Sequence, residues 1–221
     1  MARPQRNFVQ QLFHRAAVSY RVRSSRIGVR RHGLEDLLRN RPGDAFPWSP
    51  VEVWSLYQNI RTRKPEVAME FGVGCTTFTI AEAMRRNGRG RLITVDSNRH
   101  WLEEAKKGLP DELRQLVTFH YSPVEQTTHA GVPCHRYSDL PDDDLDFLYV
   151  DGPDASDVPG WGPGKPVSVD PIDMEQRFRP GFRMVVEGRL LNQVFLQKHL
   201  RRTYSVWEDA RFRIMTFDLV G

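Results

Sequence analysis

From residue 48 onward, short apolar runs alternate with stretches in which apolar residues recur every three or four positions. Ser49-Pro50-Val51-Glu52 combines an N-cap, a proline at the first helical position and a capping glutamate, and Val53, Trp54, Tyr57 and Ile60 continue one apolar face. A helix is therefore predicted to about residue 62. Residues 67–71 then read as a strand, 72–75 as a tight turn and 76–86 as a helix. A strand over 91–95 ends at Asp96, a helix covers 98–107, and further strands are predicted at 117–121 and 146–150. A strand at 182–186, a helix at 190–200 and two closing strands at 204–207 and 212–217 complete the pattern.

Strands that alternate with helices predict an α/β fold, a mostly parallel seven-stranded sheet covered by helices on both faces. Such doubly wound sheets bind ligands outside the carboxyl ends of their strands, where the strand order reverses. The residues just after each strand are Glu70 to Thr77, Asp96, Ser122, Asp151 and Glu187. Four of these five positions carry an acid, and that recurrence predicts a site.

The chain has 221 residues, 39% hydrophobic and 27% charged, enough for one globular domain with an unassisted core. Its apolar runs are a few residues long against the ~20 of a membrane span, and no apolar segment suggests a secretory signal. Cys75 and Cys134 make neither a disulfide framework nor a zinc site, so a reducing cytoplasmic setting is expected. Charge is uneven. Residues 1–42 hold ten arginines against Glu35 and Asp36, a net of +8; the other 22 basic and 26 acidic side chains net −4. The chain thus divides into a basic N-terminal arm, 1–45, and a mildly acidic body, 46–221, which disfavours nucleic acid as a partner. In the arm, Phe8, Val9, Leu12, Phe13, Ala16, Ala17 and Tyr20 share one helical face and Arg6, Gln10, Gln11 and Arg15 the other. Packing on the body or on a second subunit in a homodimer, contact with a membrane surface or polyanion, and organelle targeting all fit that pattern.

At the first strand end, Gly72-Val73-Gly74 permits close backbone approach, and the helix after it aims free amides at the same place. A dinucleotide site wants a third Gly or Ala at position 77 and no acid beside its pyrophosphate. Here Thr77 and Glu70 stand instead, and Glu70 suits a ligand with a positive amino group. Asp96, 22 residues after Gly74, suits a ribose diol. A nucleoside with a cationic amino-acid tail meets both demands, and S-adenosyl-L-methionine (SAM) is one. Residues 67–77, Val-Ala-Met-Glu-Phe-Gly-Val-Gly-Cys-Thr-Thr, resemble the first motif of class I SAM-dependent methyltransferases of Rossmann-like fold, in the small-molecule O-methyltransferase branch that includes catechol-methyltransferase-like enzymes. Residues 145–153 resemble that branch's fourth-strand motif. Residues 185–189, with Asn192 and Phe195, resemble bacterial members associated with glycan biosynthesis. The resemblance implies that Glu70 meets the methionine amino group, that Gly72 and Gly74 line methionine and ribose, with Thr77 in the same motif, and that Asp96 binds the ribose diol. Ser97, Asn98 and Ser122 fall on the adenine side. It further implies methyl transfer to a small-molecule acceptor, a hydroxyl of a sugar or glycan intermediate.

A hydroxyl acceptor must lose its proton. Asp151, after the fourth strand, is the best-placed base or orienting group, with Glu187 beside it. In metal-dependent relatives an Asp at this position binds Mg²⁺ with an Asp-Asn pair, which aligns here with Glu187-Gly188; Mg²⁺ on Asp151, Glu187 and Asp173 stays open. The Gly- and Pro-rich segment 152–169 reads as a rim loop in which Trp161 covers an acceptor ring or packs on the body. Residues 122–141 read as a hairpin carrying His129 and His135. Two other readings remain: a nicotinamide-dependent oxidoreductase, disfavoured by Glu70 and Thr77, and a non-enzymatic interaction module tethered by the arginine-rich arm. A nucleic-acid methyltransferase rests on the arm alone.

Overall fold

The computed structural model describes residues 8–43, 45, 47–162 and 167–220, with side chains described from Arg15 on. In chain order the elements are α1 (Phe8–Arg31), α2 (Leu34–Leu38), α3 (Pro50–Arg63), β1 (Val67–Phe71), α4 (Cys75–Asn87), β2 (Arg91–Asp96), α5 (Arg99–Gly108), α6 (Asp111–Arg114) and β3 (Val117–Tyr121). There follow β4 (Val124–His129), β5 (Val132–Tyr137), β6 (Leu145–Val150), α7 (Asp170–Asp173), β7 (Phe178–Glu187), α8 (Leu190–His199), β8 (Tyr204–Asp209) and β9 (Ile214–Leu219). The sheet runs β3-β2-β1-β6-β7-β9-β8, with β9 antiparallel to both β7 and β8 and the other pairs parallel. The expected seven-stranded, mostly parallel α/β sheet is present.

β1 and β6 are buried along nearly their whole length because helices cover both faces, which is why they read as continuous apolar runs. Two apolar clusters lie on the two sides. One contains Met69, Phe71, Ile93, Leu148, Val150, Phe182 and Phe217. The other joins Ala68, Phe78, Ile80, Phe147 and Tyr149 to Val29, Leu34, Leu38 and Ile60. Val29 to Leu38 thus lie in the core of the same unit as the sheet, although the sequence assigns them to the arm. Gly28 is set directly against the Trp54 ring, and Arg21 pairs with Asp209 while lying 4.9 Å over the Phe212 ring. The expected apolar face of the arm falls mostly on side chains outside the described ones; Tyr20, on it, is 75% exposed. Among the described residues no helix is long and apolar enough to cross a membrane.

The segment 122–141 forms the expected hairpin, closed by Ala130 and Gly131, both at positive φ (50° and 78°), the turn that matches strand twist. The final strand begins at Ile214 rather than Phe212. Arg213 takes φ 58° and Phe212 N donates to Asp209 O, so those residues turn between β8 and β9.

Candidate active site

β1 pairs with β2 on one side and β6 on the other, so the chain leaves β1 and β6 in opposite directions and their carboxyl ends mark the point where the strand order reverses. The Gly72–Gly74 loop lies there. Gly72 N donates to Val95 O (2.9 Å), holding the loop against β2. Gly72 has φ 95°, and a Cβ there would lie 2.7 Å from Gly152 N. On its Cβ side Gly72 is approached closely by the chain after β6. At Gly74 nothing lies within 4 Å of a Cβ position, so open space is found there.

Glu70 is fully buried. Its Oε2 accepts from Thr77 Oγ1 (2.6 Å) and Thr94 Oγ1 (2.9 Å), while Oε1 has no hydrogen-bond partner. Burial pushes its carboxyl up to about 7, with the hydrogen bonds from Thr77 and Thr94 and the nearby Thr76 hydroxyl, which makes no hydrogen bond to it, pulling it back. Thr77 Oγ1 also accepts from Gly74 N (3.0 Å), so Glu70, Thr77 and Gly74 form a relay that fixes the loop. Thr77 is itself fully buried and ties Glu70 to the Gly74 amide.

Asp96, 6% exposed at the tip of β2, accepts from Val73 N through Oδ2 and from Asn98 N through Oδ1, both at 2.8 Å. Burial lifts its carboxyl to about 6 against those two amides. Ser97 Oγ beside it is buried without a partner. Asn98 caps α5, accepting from His100 N (3.0 Å), and donates to Asp157 Oδ1 at 3.4 Å. Ser122 is fully buried, its hydroxyl donating to Pro123 O (3.3 Å) and accepting from Asp139 N (3.0 Å), which ties the hairpin base inside the fold.

Asp151 follows β6 and stands on the same rim, with Arg189 Nε 3.8 Å from its Oδ1. Arg189 is 2% exposed and donates to the carbonyl oxygens of Asp151 and Pro153. Glu187 Oε2 accepts from Tyr149 Oη (2.8 Å). Asp173 lies on α7 and pairs with Arg136 (2.7 Å) instead of joining Asp151. Among the described residues no group of three or more His, Cys, Asp or Glu is assembled to hold a metal. A guanidinium beside Asp151 and a tyrosine hydroxyl on Glu187 do not make the oxygen cage that Mg²⁺ requires. Trp161 packs on the apolar cluster of the sheet, and residues 163–166 of its loop are outside the described ones. His129 lies against Phe195 and His199 (centroids 5.6 and 5.1 Å), away from these carboxylates, and His135 is fully buried.

Thr94, Tyr149 and the Val73 amide escape sequence reasoning. Thr94 sits mid-strand where a pattern shows only a half-polar residue, and a backbone amide carries no signal. Arg189 is visible in the motif after β7, but its burial is not.

Residues 69–186 match a family described as a methyltransferase domain. Similar solved structures include a methyltransferase from Geobacter sulfurreducens, 15% identical, with TM-score 0.53 over 86% of this chain and 88% of that one. The O-methyltransferase TomG from Streptomyces achromogenes, solved with SAM, is 17% identical, with TM-score 0.51 over 85% and 89%. An O-methyltransferase from Bacillus cereus, solved with S-adenosylhomocysteine (SAH), is 13% identical, with TM-score 0.51 over 85% and 90%. At these identities the likeness is one of fold. No curated protein matches significantly. The family match spans the glycine loop, both strand-tip carboxylates and Asp151, and the chain belongs to the methyltransferase-domain family.

Proposed function

We propose that the protein transfers the methyl group of SAM to an oxygen of a small-molecule acceptor, a hydroxyl of a sugar or glycan intermediate. The observation that carries the cofactor assignment is Glu70 Oε1, a buried carboxylate oxygen without a donor at the tip of β1. An unpaired buried charge is costly, and an ammonium group supplies both the missing donor and the opposite charge. Asp96 at the neighbouring tip supplies carboxylate oxygens for a diol, and the open space at Gly74 leaves room between them.

Bound there, SAM supplies a methyl group already activated by its sulfonium charge. The chain's task is then to orient the acceptor and exclude water, and alignment of this kind contributes about 7–11 kcal/mol. Asp151 takes the hydroxyl proton, and the Arg189 guanidinium beside it orients its carboxylate. The exposed Arg23, Arg26, Arg30 and Arg31 of α1 support attraction to an anionic surface or a polyanionic acceptor.

Calorimetric titration with SAH and with NADH tests the reading. Binding of SAH and none of NADH is expected; the reverse would replace it with an oxidoreductase.

A further inference from the structure

Beside the strand-tip carboxylates lies a second group of buried polar atoms that lack partners. His135 and Tyr137 are two residues apart on β5, so their side chains share one face. They are 0% and 4% exposed, with rings edge to face and centroids 6.1 Å apart. Neither ring nitrogen of His135 makes a hydrogen bond, nor does Tyr137 Oη. A buried polar atom left without a partner is destabilising.

The wall around them is otherwise satisfied. The segment Val167–Asp170 runs along β5, with His135 N donating to Val167 O (2.8 Å) and Val169 N to His135 O (3.1 Å). Asn192 of α8 accepts from Ser168 N and donates to Ser168 O, both at 3.2 Å. Asp170 accepts from Ser168 Oγ (2.7 Å) and Tyr137 N (2.9 Å), and its Oδ2 stands 4.0 Å from His135 Nδ1. The Arg189 charge acts on both groups, lowering the His135 imidazole and the Tyr137 hydroxyl. The Tyr137 ring packs on Phe71 at the tip of β1, centroids 5.1 Å apart, so the cluster abuts the candidate active site.

We propose that His135 and Tyr137 form the subsite for the acceptor's hydroxyl groups, and that the acceptor is uncharged at that end. This deepens the methyl-transfer reading and rests on it. Burial holds the His135 imidazole far below its usual range, at about 3, so the ring is neutral and offers one donor and one acceptor. A hydroxyl is both donor and acceptor and matches that pair. An anion would face the Asp170 carboxyl, which burial pushes up to about 7 and which repels it as it ionises, and a cation would meet the Arg189 charge. The subsite is closed to solvent, so a hydroxyl held there is kept from water.

The test saturates the protein with SAH and adds methyl β-glucoside, phenol, benzoate or benzylamine while the histidine ring ¹⁵N resonances are followed. The glucoside or phenol is expected to shift the His135 resonances, and which one does so separates a sugar from an aromatic source. The two charged probes are expected to leave them unmoved. His135→Phe and Tyr137→Phe should each weaken binding of the active probe about tenfold or more, with SAH affinity unchanged. His135→Gln, which restores a donor and an acceptor, should recover part of it. Neither neutral probe shifting His135, a charged probe shifting it equally, or variants that bind the probe like the parent would each overturn the subsite. A folded Gln variant that binds the probe no better than the Phe variant would do the same. Failure to bind SAH overturns the methyl-transfer reading first, and the subsite with it.

Discussion

Gly72 and Gly152 meet backbone to backbone: a methyl group on Gly72 would lie 2.7 Å from Gly152 N, and one on Gly152 would lie 2.3 Å from Gly72 N. Phe71 O receives both Asp151 N (3.1 Å) and Gly152 N (2.5 Å), which closes the tips of β1 and β6 together and brings Glu70 and Asp151 to one rim. No side chain can yield here, because both partners are main chain. Gly152→Ala is expected to cost about 3 kcal/mol, a fall in Tm of roughly 6–12 °C for a chain of this size. Gly74→Ala should leave Tm unchanged, since its backbone is extended (φ 176°) and its Cβ meets nothing, yet weaken SAH binding. Thermal melts and calorimetry on the two variants check the pair; equal Tm losses would remove the distinction.

Glu70 holds its proton to about pH 7 because it is buried. A carboxyl whose folded pKa lies above its unfolded one is charged at a cost, so its penalty is absent below about pH 4.5 and grows as pH rises toward 7. Glu70→Gln should therefore raise the Tm of the ligand-free protein at pH 8 while weakening SAM. Docking an ammonium against Glu70 drives its proton off. Calorimetry in two buffers of different ionisation enthalpy should show net proton release on SAM binding near pH 7 and none in the Gln variant. A net release of zero in the parent would exclude Glu70 from the contact.

Asp96 binds two backbone amides and is proposed to receive the ribose diol. Asp96→Ala removes charge-assisted bonds worth about 1.5–3 kcal/mol, so SAH affinity should fall roughly 10- to 150-fold. The fold should persist, since burial already lifts this carboxyl to about 6 and its charge adds little to stability. An unchanged dissociation constant would sink the assignment.

Asp151 and Glu187 differ in what holds them. Asp151→Asn should lower turnover on the order of 10²- to 10⁴-fold, measured as SAH release with a hydroxyl acceptor, with SAH affinity kept. Glu187→Gln preserves an acceptor for the Tyr149 hydroxyl and should change turnover little. Equal effects of the two would take Asp151 out of the chemistry.

Gly28 carries the docking of α1. A Cβ there would lie 2.4 Å from the Trp54 ring, which is itself stacked on Tyr57 (centroids 5.6 Å) and tilted against His32 (5.0 Å). Gly28→Ala should cost about 1–3 kcal/mol of stability and leave SAH binding intact. A melt unchanged from the parent would show that α1 is loosely held.

The alternation of strand and helix, the glycine turn after β1 and the acids at the tips of β1, β2 and β6 are all written in short stretches of sequence. Periodicity and turn chemistry act within a few residues, and those residues decide them. What lies across the chain was decided by folding. Thr94 reaches Glu70 over 24 positions, Asp170 reaches the Tyr137 amide over 33, and Arg189 reaches the Asp151 carbonyl over 38. Asp173 could be paired with Asp151 on paper, yet α7 delivers it to Arg136. The arm looked separate because its charge is separate, but Val29 and Leu34 bury their side chains in the same core as Ile60. Which buried polar groups find partners, and which such as Glu70 Oε1 and the His135 ring are left waiting, depends on how distant segments close on one another, and local sequence holds no record of that.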